Sequence, residues 1–123
     1  MTLHRIGMAT RYSEAAICNG VAYLAGQVPE ETLTQGIEEQ TREVLDQIDR
    51  LLAQVHSDKS RILMCQIFIA DLEDFAGMNR IWDQWVSPGN APPRATVEAR
   101  LANSAYRLEI VVTAAQRHPD QND

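Results

Sequence analysis

Arg94 and Glu109 are the side chains best suited to chemistry in this sequence, fifteen residues apart in the stretch NAPPRATVEARLANSAYRLEIVVTAA from Asn90 to Ala115. An arginine offers a planar, permanently charged fork for a carboxylate. A glutamate can orient a water or accept its proton. Pro92 and Pro93 stop any preceding helix and force an extended entry. From there Arg94, Thr96, Glu98 and Arg100 alternate with Ala95, Val97, Ala99 and Leu101, the two-residue period of a half-buried strand. The run from Tyr106 to Thr113 alternates again, with Arg107, Glu109 and Thr113 at its polar positions. With Ala102 to Ala105 as a short link, the two runs are expected to form a hairpin that pairs Leu101 with Tyr106. That register sets Arg94 opposite Thr113 and on the same face as Glu109. The two charges are then roughly 13 Å apart, too far to pair. They are solvated, paired with charges elsewhere in the molecule, or part of a site where they meet a ligand or a second subunit.

The rest of the chain limits which chemistry these residues can serve. Its 123 residues fit one domain, and 45% hydrophobic with 23% charged residues is enough apolar material for a real core. No apolar run is long enough to span a membrane. The first residues, MTLHRIGMATRYSE, lack the apolar region of a secretory signal, so a cytoplasmic protein is expected. A net charge of −6 argues against nucleic acid as partner. The basic residues are arginines apart from Lys59, and they form no cluster. His4, His56 and His118 are scattered, no Cys/His pair has ligand spacing, and no glycine-rich phosphate loop occurs, so neither a metal nor a nucleotide cofactor is expected. Cys18 and Cys65 each sit in an apolar run and read as reduced, buried thiols.

Several elements must position these residues. Leu3 to Gly7 reads as a short strand and Met8 to Ser13 as a loop carrying Tyr12. Two apolar runs, Glu14 to Cys18 and Val21 to Ala25, flank Asn19-Gly20, a strong hairpin signal because both turn residues tolerate positive φ. Ile37, Val44, Leu45, Ile48, Leu51, Leu52 and Val55 recur at helical spacing, with Glu38, Glu39 and Glu43 near the start where the helix dipole favours acids. The turn His56 to Lys59 follows. Ile62 to Ala70 is almost continuously apolar, as a strand covered on both faces would be. Asp71 then caps a second helix carrying an aromatic stripe, Phe75, Met78, Trp82 and Trp85, expected in the core. Residues 117–123 read as a frayed tail. The order β-β-β-α-β-α-β-β predicts an α+β domain over residues 1–123, a single mixed sheet with two helices on one face. The other face would display Arg94, Thr96, Glu98, Glu109, Val111 and Thr113, and an uncovered mixed face invites subunit packing.

Ala91-Pro92-Pro93-Arg94-Ala95-Thr96-Val97-Glu98, followed by Arg107-Leu108-Glu109-Ile110, resembles the RidA (YjgF) family of reactive intermediate deaminases, in particular its YoaB-like branch. Arg11 to Ala15, Ala25 to Pro29 and Ile69 to Asn79 resemble further segments of that family, over about residues 3 to 116. The resemblance implies a chorismate-mutase-like fold and a homotrimeric barrel with clefts between subunits. It implies hydrolysis of enamines and imines such as 2-aminoacrylate and 2-iminopropanoate to 2-keto acids and ammonia, without cofactor or metal. By the same resemblance Arg94 grips the substrate carboxylate, Glu109 positions or activates water, and Tyr12, Gly26 and Thr96 line the site. Thr96 stands where the family commonly has cysteine, Ala25 where it has serine, and the segment after Pro29 is shorter. The alternative is a non-catalytic module that binds 2-keto acids or other small carboxylates.

Overall fold

The computed structural model describes residues 2–118. Eight elements follow in the expected order: β1 (Leu3–Ile6), β2 (Ala15–Cys18), β3 (Val21–Leu24), α1 (Ile37–Gln54), β4 (Ile62–Ile69), α2 (Phe75–Trp85), β5 (Arg94–Glu98) and β6 (Leu108–Ala115). Asn19 and Gly20, at φ 53° and 76°, make the β2–β3 hairpin turn. In α1 the expected apolar face is the buried one, and Asp71 accepts from the Glu73 amide to start the turn that leads into α2. No helix among the described residues is long and apolar enough to cross a membrane.

The strands form one mixed sheet in the order β1-β2-β3-β6-β4-β5, with both helices over one face. The expected hairpin between the last two strands does not form. β4 lies between them, parallel to β5 through Cys65↔Arg94 to Ile69↔Glu98 and antiparallel to β6 through Cys65↔Val112 and Phe68↔Glu109. The reason is topological. Strand, helix and strand in succession make a crossover unit, which returns the chain parallel to its first strand. The most apolar strand thereby gains a ladder on both edges. Residues 99–107 cross its end as a loop, tied by Ala99 N–H to Ile69 O and Ala70 N–H to Arg107 O, both 3.0 Å.

This arrangement corrects the assignment of faces. Paired residues on neighbouring strands point the same way. Arg94, Thr96 and Glu98 align with the buried Cys65, Ile67 and Ile69 and therefore lie on the helix side. Glu109, Val111 and Thr113 align with Phe68, Gln66 and Met64 on the opposite, uncovered side. β4 is accordingly not covered on both faces within one chain: Met64 and Gln66 are exposed while Cys65 and Ile67 are buried. Tyr23, Met64 and Val97 are exposed apolar groups on that bare face.

Smaller expectations also change. Trp82 is buried, but Phe75 is exposed, so the aromatic stripe is only partly core. Both cysteines are free, Cys65 buried and Cys18 half-buried. Arg117, expected in a frayed tail, is instead tied to the turn after α1. Arg117 donates its amide to His56 O at 2.8 Å and its guanidinium to Ser57 O at 3.0 Å. Residues 119–123, the rest of the expected frayed tail, lie outside the described residues.

Candidate active site

Glu109 is presented by β6 beside a strap formed by residues 25–28. Gln27 and Ile110 exchange two backbone hydrogen bonds, 2.8 and 3.0 Å, which press the strap against the strand. Glycine at 26 allows the Glu109 carboxylate to lie against the strap. A Cβ built there would overlap Glu109 Oε2 and lie 3.0 Å from its Cδ. Any side chain at 26 must push the carboxylate away. Tyr12, on the loop after β1, is 57% exposed and joins Gly26, Tyr106 and Glu109 around a cavity of ≈ 450 Å³. Glu14 and Glu30 line it too, and no arginine, lysine or histidine does. The cavity is rich in carboxylates and supplies no cation for an anionic ligand.

The cation lies elsewhere. Arg94 opens β5, where its guanidinium meets α2. Nη1 donates to Asn79 Oδ1 at 3.0 Å, and the guanidinium carbon sits 4.9 Å from the Trp82 ring centroid and 5.9 Å from that of Phe75. Both distances are within cation–π range. Two residues on, the buried hydroxyl oxygen of Thr96 has no hydrogen-bond partner. An unsatisfied buried hydroxyl is costly unless a ligand or water completes it. Burial pushes the Cys65 thiol up to about 12, against the opposing pull of Arg94. It stays protonated at neutral pH.

Of the five residues expected at a site, the structure therefore brings together Tyr12, Gly26 and Glu109, and separately Arg94 and Thr96. The groups face opposite sides of the sheet. Arg94 and Glu109 are offset by two strand spacings and three residues, about 14 Å between Cα atoms. One small ligand cannot touch both within a single chain.

Three supporting roles are not legible in the sequence. Gln40 is fully buried on α1. Its amide nitrogen donates to Thr32 O and Ala105 O, 3.2 and 3.0 Å, and its oxygen accepts from Arg107 N at 2.8 Å. It fixes the loop that leads into Glu109. Glu43 accepts from the amides of Glu30, Glu31 and Thr32 and from the Thr32 hydroxyl, which fixes the short segment after Pro29. Burial raises its pKa, but the Thr32 hydroxyl and these amides outweigh that and hold it below the usual value. Asn79 is the third. It lies on the aromatic stripe, four residues after Phe75 and three before Trp82, and a polar residue inside such a stripe is the signal that could have found it.

Among known proteins, the sequence model of the family described as Endoribonuclease L-PSP matches residues 2–116. A RutC family protein of Haemophilus ducreyi is 53% identical over 114 residues, covering 93% of this chain and 97% of that one. The RutC family protein YoaB of Escherichia coli K12 is 47% identical over 115 residues, covering 94% and 99%. The crystal structure of NMB1025, a YjgF-family protein from Neisseria meningitidis, superposes with a TM-score of 0.93 at 47% identity, over 96% of this chain and 98% of that one. The chain belongs to the YjgF/RutC (Endoribonuclease L-PSP) family, in its YoaB-like branch.

Proposed function

We propose that this protein hydrolyses small imines and enamines bearing a carboxylate, of the 2-aminoacrylate/2-iminopropanoate type, to 2-keto acids and ammonia. The sites would form between subunits of a homotrimer. The observation that carries the reading is the division of the two half-sites. Among the described residues, a cavity with Glu109 and no cation, and an arginine with no carboxylate partner, complement each other but face opposite ways in one chain. A second copy, seated on the bare apolar sheet face, can bring one chain's Arg94 to another's Glu109.

The chemistry asks little more. Arg94 holds the substrate carboxylate and so fixes the adjacent C=N carbon. Glu109 takes a proton from water as its oxygen bonds to that carbon, giving a carbinolamine. Returned to the nitrogen, that proton makes ammonia the leaving group, and as the C–N bond breaks the carbinolamine hydroxyl gives its own proton to Glu109 and becomes the carbonyl of the keto acid. Tyr12 and the Gly26 backbone wall the cavity, and the Thr96 hydroxyl is free to donate to a ligand oxygen. The matching family's description names RNA cleavage. The charge of −6 and the pairing of five arginines with carboxylates speak against an RNA-binding surface on this chain.

The test generates imines in place with an amino-acid oxidase and traps survivors with semicarbazide. Wild type is expected to lower the semicarbazone yield, and Arg94→Ala to leave it unchanged. An unchanged yield with wild type over a panel of amino acids would refute deamination and leave the carboxylate-binding module.

A further inference from the structure

Arg94 rests on a platform of neutral groups, unlike the five arginines that pair with carboxylates. Arg42 and Arg80 face Glu38, Arg50 faces Asp46, Arg107 faces Asp74 and Arg117 faces Asp58. Arg61 gives its donors to the carbonyls of Ala115 and Gln116. Arg94 is half-buried, uses one donor on an amide oxygen, and is flanked by Trp82, Phe75 and the protonated Cys65. Among the described residues no carboxylate lies within ion-pair distance of it, Asp83 one turn further along α2 included. Burying part of a guanidinium without a counterion costs free energy. The fold accepts that cost at a position where an acid of the same size as Asn79 would have removed it.

We propose that Asn79 is a positioning residue for anion recognition: its neutral amide oxygen orients the Arg94 fork while leaving the full positive charge for a ligand carboxylate. The inference rests on the reading of Arg94 as the substrate anchor. An aspartate at 79 would hold the fork at least as firmly, since charge-assisted hydrogen bonds are the stronger kind. It would also place a permanent intramolecular anion where the ligand's must go. Orientation and charge are thereby separable: a short neutral acceptor keeps both, an acid keeps only orientation, and an apolar side chain keeps only charge.

Pyruvate, a stable 2-keto acid, serves as the probe, titrated into the full-length assembled protein by ligand-observed NMR, with imine turnover measured in parallel. Asn79→Asp is expected to weaken pyruvate at least about tenfold and to raise KM for the imine by a similar factor. Its kcat should stay within about threefold of wild type, because Glu109 is untouched. Asn79→Ser should bind pyruvate within about threefold of wild type. Wild-type affinity in Asn79→Asp, or equal losses in the Asp and Ser variants, would overturn the charge argument. Should Asn79→Asp fail to fold by its thermal melt, Asn79→Leu takes its place. Without an acceptor it should bind several-fold more weakly than Asn79→Ser, and equality of the two would overturn the positioning role. Arg94→Ala in the same titration separates the two claims. If it binds pyruvate as wild type does, the anchor reading itself fails, whatever Asn79 does.

Discussion

Glu109 sits in a cavity walled by other acids and by a glycine strap that touches it, whereas Arg94 lies on a shelf of aromatic and neutral side chains. One region has negative charge around a solvent-open cavity, the other positive charge at the edge of the sheet. Each lacks what the other has. Strand register keeps them on opposite faces of one sheet, so no rotamer change can join them. The lesson is that a half-site is recognisable by what it leaves uncompensated, here, among the described residues, a guanidinium without a carboxylate and a buried hydroxyl without a partner.

The largest expected effect separates the two regions by role. Glu109→Gln should lower imine turnover by roughly a hundredfold or more, the usual contribution of a general base, and leave pyruvate affinity near wild type. Loss of binding alongside turnover would show that Glu109 acts as part of the anchor. Next comes Gly26→Ala, which forces the carboxylate to move. We expect about a tenfold fall in kcat with little change in pyruvate affinity. Unchanged kinetics would mean that the contact between strap and Glu109 has no catalytic consequence.

Gln40→Leu tests the frame rather than the chemistry. It leaves the carbonyls of Thr32 and Ala105 and the amide of Arg107 without their partner, and a loss of about 2–4 kcal/mol is expected in urea unfolding. The smallest effect concerns the rim. The folded-state pKa of Glu43 lies below the ordinary glutamate value, so its contribution is complete above that ordinary value and fades as pH falls through the lower folded one. The stability gap between wild type and Glu43→Gln should therefore narrow on acidification below about pH 4.3. A gap independent of pH would show that the carboxylate charge is not what holds residues 30–32.

Much of this was legible because periodicity reports burial. The 3.6-residue spacing of Val44, Leu45, Ile48, Leu51 and Leu52 and the Asn19-Gly20 signal each specify a local structure that tertiary packing had no cause to override. Alternation in β5 and β6 was also read correctly as strand. What alternation cannot state is which strand lies alongside, and assuming a hairpin moved Arg94, Thr96 and Glu98 to the wrong face. The strand–helix–strand succession through α2 held the better clue. Gln40 and Asn79 were missed for a different reason. Their roles depend on carbonyls and a guanidinium brought close only by the fold, 65 residues away in the case of Ala105 and 15 in that of Arg94.

The most direct measurement mixes two inactive proteins. Arg94→Ala and Glu109→Gln are unfolded together, refolded as a mixture, and assayed for imine hydrolysis beside each variant refolded alone. If Arg94 of one subunit serves Glu109 of another, mixed assemblies contain some sites with both residues intact, and activity should rise well above the sum of the separate variants. Activity no greater than that sum, in assemblies proven mixed by mass, would contradict a site shared between subunits.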